Sequence, residues 1–381
     1  MEKIVLYDGW DLVYRPNSPA AIHLLTLLAA HPAEFGARVA LPGESFHPLP
    51  PKAHIEISAT PDTASARLRW EQRFLPDLAR KSSAGLIHLV SGAPALFGGT
   101  PSLISPAATS IGSNRLSRER QGSGFLDHLG LAVRAGGMAR ALALLWPGDL
   151  PAPEWTSPIH NLPPVVHPAF KPSADENDEY EDRHVQVGLD TQKIFELPET
   201  YVLFHGSTAR RDLLRLVDAW SWAGGAIGEN YPLVIVGLDQ AAERNLAAFL
   251  DGNPLGKRII KLPLLPLDAL AGVYRGCCVF FHPSPHPAWG DPLRFAMACG
   301  KPVVSLEFAS TDALVGPAGY LIPSGGSRAA RNRALGAAVI TLVVEEEIAE
   351  KLELAAQERA AKWDMRNFSQ ALGEVYRRFL E

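Results

Sequence analysis

Cysteine is scarce in this 381-residue chain: there are three, Cys277, Cys278 and Cys299. Adjacent Cys277 and Cys278 cannot easily bridge each other, and all three sit in apolar context. That excludes a disulfide framework and fits reduced core thiols in a cytoplasmic protein. No spacing of Cys, His or carboxylates suits a metal. A basic excess is also missing. Lys and Arg number 36 against 41 Asp and Glu, for a net charge of -5, so nothing argues for a nucleic-acid partner. No apolar run approaches the ~18 residues of a membrane span. The start, Met1 to Tyr7, reads as a strand and lacks the apolar core and cleavage site of a signal peptide. There is no internal repeat, serine nucleophile elbow, P-loop or dinucleotide G-x-G-x-x-G.

What is present is a soluble, globular composition, with 47% hydrophobic and 20% charged residues and 32 each of Gly and Pro. The length suffices for two domains. In the first half, strand-like runs (Ile4–Tyr7, Arg38–Leu41, His54–Ser58, Gly85–Val90) alternate with helical patterns (Ala20–Ala30, Arg67–Arg80, Leu129–Leu145). Such alternation predicts a parallel sheet covered by helices on both faces. The proline-punctuated Pro163–Pro172 and the acidic run Asp175–Asp182 read as an exit and a solvated linker. A second alternating region follows, with strands at Tyr201–Phe204, Pro232–Val236, Arg258–Lys261 and Cys278–Phe281. Helices are expected at Asp212–Trp222, Leu267–Gly276 and Glu345–Leu380, the last interrupted near Trp363-Asp364. We therefore expect domains at 1–172 and 197–360, an acidic linker at 173–196, and a separate C-terminal helix at 361–381.

The densest chemistry lies in Pro283–Gly300, PSPHPAWGDPLRFAMACG. It runs from a strand through the loop Ala288-Trp289-Gly290 into a short helix, with Asp291 at the N-cap and Pro292 at the first helical position. Free N–H groups and the positive dipole end of that helix would suit a phosphate. Asp291 is either only the cap or a carboxylate available to a ligand. Arg294, a cation in the first turn, either pairs with Asp291 or joins a phosphate cradle. Trp289 is a packed anchor or a stacking surface, and His286 an exposed loop residue or a hydrogen-bonding one. Arg210 and Arg211 open another helix, where they are either solvent-facing side chains or, as cations opposing the dipole favour, ligands of an anionic partner.

The stretch resembles the C-terminal signature of retaining glycosyltransferases of the GT-B fold, family 4 type (glycosyl transferases group 1), roughly P-S-x-x-E-G-F-G-x-P-x-x-E-A-M-A-x-G-x-P-V-V. Pro283, Ser284, Gly290, Pro292, Ala296, Met297, Ala298, Gly300, Pro302, Val303 and Val304 match in register. The two glutamates of the family's E-x7-E motif fall on Pro287 and Phe295, so the motif is degenerate here. The likeness is continuous from Leu197 to Leu380. Before that it rests on Asp8-Gly9 and the Val165–Pro172 exit.

The resemblance implies an α/β architecture of two Rossmann-like domains whose parallel sheets face an interdomain cleft, with the last helix crossing back to the first domain. It implies a nucleotide diphosphate sugar as donor substrate, no cofactor, no metal and a carbohydrate or lipid-linked acceptor. Peripheral membrane association stays open. In His205–Leu213, similar to the family's G-(R/T)-x-x-x-R-K-N-L, Gly206 and Ser207 fall on the loop and Arg210 and Arg211 on the basic positions that meet the diphosphate. The donor side would further draw on Gly237, Ser284, His286, Trp289, Gly290 and Arg294. Asp291 is the candidate for a surviving catalytic carboxylate. Asp8, Gly9, Asn17 and His88 are candidates on the acceptor side, although His88 in an apolar strand also reads as satisfied structure. The family's His-Asp pair is absent from Pro101–Pro106. Loss of these groups supports a rival reading, a catalytically silent GT-B protein that binds nucleotide, glycan or a partner glycosyltransferase.

Overall fold

In the computed structural model, residues 3–108, 125–172, 195–206 and 210–380 are described. The chain forms two compact units. One comprises Met1–His167 with Ala288–Gly290 and Asp364–Glu381; the other comprises Pro168–Pro287 and Asp291–Trp363.

The first unit holds seven parallel strands: β1 (Ile4–Asp8), β2 (Gly36–Leu41), β3 (His54–Ile57), β4 (Ala84–Leu89), β5 (Ser102–Ile104), β6 (Ala143–Pro147) and β7 (Ile159–Leu162), ordered 3-2-1-4-5-6-7. β1 and β6 are almost wholly buried, as expected for central strands covered on both faces. The Pro19–Ala29 helix starts at Ser18, whose Oγ accepts the Ala21 N–H, with Pro19 at the first position; both are start signals. The amphipathic Arg67–Arg80 region is helical from Ala64 to Lys81 but passes through a π-helical turn at Trp70–Phe74.

The expected Leu129–Leu145 helix is corrected. Helix ends at Met138, and Ala143–Pro147 is β6. A short apolar run between breakers reads equally as buried helix or buried strand.

The second unit holds β8 (Val202–His205), β9 (Leu233–Val236), β10 (Ile259–Lys261), β11 (Val279–His282), β12 (Val303–Glu307) and β13 (Gly319–Pro323), all parallel, in the order 10-9-8-11-12-13. Its core gathers Phe204, Trp220, Ile235, Phe281, Val304 and Val339. The helix Arg328–Val344, not foreseen from the sequence, buries Leu335, Val339 and Leu342.

In both sheets the order in which successive strands are laid down reverses once, between β1 and β4 and between β8 and β11. Ligands of open α/β sheets bind beyond the carboxyl ends of strands at such a switch point. That rule selects Asp8 with Val90–Gly92 in one unit, and His205-Gly206 with His282–Ser284 in the other. Among the described residues no helix is long and apolar enough to cross a membrane.

Candidate functional site

At the β8/β11 switch point, β8 ends in His205 and β11 in His282, and Ser284 follows two residues later. All three are buried. His205 Nδ1 and the Tyr274 hydroxyl share a hydrogen bond of 2.7 Å. The His282 ring lies beneath Gly206: a Cβ on Gly206 would fall 2.6 Å from His282 Nε2, and its φ is +147°. No other residue fits there without displacing the histidine. Burial, then the nearby His286 and His205, lower the His282 pKa to about 3, so the ring is neutral. His282 Nδ1 and Ser284 Oγ are buried and have no hydrogen-bond partner among the described residues.

Arg210 and Arg211 begin the helix Arg210–Ile227 and are exposed. The Arg210 guanidinium sits 5.5 Å above the Phe249 ring. Gly237 follows β9, and Ser207 lies outside the described residues. Asp291 caps the Pro292–Ala298 helix, its Oδ1 accepting the Leu293 N–H at 2.8 Å. The Asp291 carbonyl accepts from Arg294 and Phe295 N–H at 3.0 and 3.3 Å. The first-turn donors expected to face a phosphate are thus engaged by Asp291 itself. Arg294 is fully buried with its guanidinium 4.7 Å over Trp363, a cation–π contact. Phe295 stacks on Phe170 at 4.3 Å and 10°, and meets Tyr274 edge-on at 6.0 Å. His286 is half-buried.

The first unit collects the other candidates. Asp8 is 1% exposed. One oxygen accepts from Arg67 at 2.6 Å, the other from Trp70 Nε1 at 2.8 Å and the Trp10 N–H at 3.2 Å. Arg67 also donates to Glu71, which Arg134 reaches from its other side. Sequence reasoning picked Asp8 and missed Arg67 and Glu71; their i, i+4 spacing on an amphipathic helix was the available signal. Gly9 donates its N–H to Ala40, and Asn17 is buried. His88 is bonded at both nitrogens, Nδ1 with Tyr376 at 2.6 Å and Nε2 with Ser105 at 2.8 Å. Burial, then His31, lower its pKa to about 3. Ala288–Gly290 belongs to this unit. Trp289 stacks on His23 at 5.1 Å and 5°, and its Nε1 donates to the Leu145 carbonyl at 2.8 Å. Gly290 has φ +62°, and a Cβ there would fall 2.2 Å from the Pro19 carbonyl oxygen. The structure thus gathers His205, Gly206, Ser284 and the newly found His282 at one strand edge. It sets Asp8, His88, Trp289 and Gly290 in the other unit.

Two parallel α/β units, each with its own switch point, make this the GT-B fold of glycosyltransferases. The particular likeness is narrower. Residues 199–343 match the family model described as glycosyl transferases group 1. Among solved structures, WaaG, a glycosyltransferase involved in lipopolysaccharide biosynthesis, superposes with a TM-score of 0.71 at 14% identity over 97% of this chain and 99% of that one. Sucrose-phosphate synthase from Thermosynechococcus elongatus gives 0.68 at 16% identity, covering 99% of both chains. Anabaena HepE, in complex with UDP and glucose, gives 0.64 at 14% identity over 98% and 99%. No curated protein matches the chain.

Proposed function

We propose that this chain is a glycosyltransferase that moves a hexose from a nucleotide diphosphate sugar to a carbohydrate or lipid-linked acceptor. In this reading it retains anomeric configuration and uses neither metal nor cofactor. The observation that carries the reading is the group 1 glycosyltransferase match over residues 199–343, set within a GT-B fold that aligns end to end with glycosyltransferases. In the reaction, the acceptor oxygen bonds to the anomeric carbon as the bond from that carbon to the diphosphate breaks. The acceptor proton leaves on the diphosphate. Charge grows on the leaving group, and fixed cations there lower the barrier. Arg210 and Arg211 are the residues proposed for that task, Arg211 first. Asp291 holds its helix through Leu293, so in this reading it positions the loop, and it is the residue proposed for a surviving catalytic carboxylate.

The buried Phe170–Phe295 stack favours a second reading, a catalytically silent GT-B protein that holds a nucleotide or glycan. It places aromatic carbon where a ribose-binding carboxylate is expected. Calorimetric titration with UDP, GDP, ADP and their hexose conjugates, combined with a nucleotide-release assay over hours, separates the two. The transferase reading expects binding and acceptor-stimulated release, both lost in Arg211→Ala. Binding without release across a broad acceptor panel would establish the silent protein instead.

A further inference from the structure

We propose that His282 and Ser284 form a diphosphate-binding pair at the β8/β11 switch point, supplying the polar contacts that the short Pro292–Ala298 helix does not. The inference rests on the donor-site reading above and adds a residue that neither composition nor motif singled out.

Both residues are 5% exposed, and both carry a buried polar atom, Nδ1 and Oγ, with no hydrogen-bond partner among the described residues. An unsatisfied buried polar group is destabilising, and replacing it with carbon of similar shape is often neutral or stabilising. Such groups persist where something from outside the chain completes them. Their location is the one where open α/β sheets take ligands.

The chemistry points to an anion with several acceptor oxygens. The first-turn N–H groups of Leu293, Arg294 and Phe295 are already taken by Asp291, so the helix leaves that demand to side chains. A serine hydroxyl and an imidazole N–H are both donors to phosphate oxygen. Gly206, with no Cβ, leaves room for the imidazole directly against its backbone, and Arg210 and Arg211 open the next helix. His282 is kept neutral by burial and by His286 and His205. An arriving anion relieves that repulsion and favours the charged ring, so binding should draw in a proton.

The test titrates the full chain with UDP, GDP and ADP, and with pyrophosphate and the free nucleosides as probes. It uses wild type, His282→Leu and Ser284→Ala, in two buffers of different ionisation enthalpy. We expect His282→Leu to weaken nucleoside diphosphate and pyrophosphate binding at least tenfold and leave nucleoside binding unchanged. It should abolish proton uptake and leave the melting temperature of the unliganded protein equal or higher. If His282→Leu does not fold, Ser284→Ala carries the same comparison, with a smaller loss of diphosphate affinity expected. Wild-type affinity in a folded His282→Leu, or a lowered melting temperature with affinity intact, overturns the proposal and assigns the ring to a buried water. Failure of the wild type to bind any nucleoside diphosphate overturns the donor-site reading itself.

Discussion

Phe295 lies face to face with Phe170 and edge-on to Tyr274, 1% exposed, and the residue scale is where the signature departs from its family pattern. Restoring the glutamate would bury an unpaired carboxylate in an aromatic cluster. We predict that Phe295→Glu destabilises the protein by about 3–5 kcal/mol and adds no activity, as urea unfolding and nucleotide release would register. Gly290→Ala meets the Pro19 carbonyl at 2.2 Å with φ +62°, and should lower stability by at least about 1–2 kcal/mol on the same urea assay. Both apolar substitutions, Pro287 and Phe295, were legible in the sequence; the aromatic partners of Phe295 were not. Phe170 stands 125 positions away, and no periodicity links them.

Between elements, the first unit is pinned by a continuous run of side-chain hydrogen bonds. His23 Nε2 meets Ser105 at 2.9 Å, Ser105 meets His88 at 2.8 Å, and His88 meets Tyr376 at 2.6 Å. Tyr376 meets Tyr7 at 2.8 Å, Tyr7 meets His31 at 2.7 Å, and His31 Nε2 meets the Phe35 carbonyl at 3.0 Å. A carbonyl only accepts, so His31 carries its proton on Nε2 and accepts from Tyr7 on Nδ1. The direction then propagates: Tyr376 donates to Tyr7, His88 Nδ1 to Tyr376, Ser105 to His88 Nε2, and His23 Nε2 to Ser105. We predict Nε2–H tautomers for His23 and His31 and the Nδ1–H tautomer for His88, readable by nitrogen NMR. Tyr376→Phe removes the acceptor of the His88 N–H and should cost about 1–3 kcal/mol in urea unfolding. The Met365–Leu380 helix was expected from its pattern, yet its bonding to β1 and β4 was not. Contacts between residues 288 positions apart leave no local trace. The strands β5 and β6 escaped for a related reason: short buried apolar runs carry no period that separates strand from helix.

For the whole molecule, buried neutral histidines tie stability to pH. His88 and His282 both have folded pKa values lowered to about 3, against an unfolded value near 6.5. A depressed pKa gives stability that is full above the unfolded value and is lost as pH falls toward the folded one. His23 and His31 are shifted in the same direction. Each of His88 and His282 should therefore remove up to about 1.4 kcal/mol per pH unit below 6.5. Urea midpoints should fall steadily from pH 6.5 to 5 and stay level from 7 to 8. The two-unit α/β architecture was readable from the alternation and the signature together, and the order of strands emerged only with the fold.

Transfer from a nucleotide sugar is read out by the nucleoside diphosphate released from UDP-, GDP- and ADP-hexoses by this chain, with and without a glycan acceptor panel. Release is expected with one of these donors, rising with acceptor and disappearing in Arg211→Ala. No release from any of these donors, whether or not nucleotide binds, would overturn the transferase assignment.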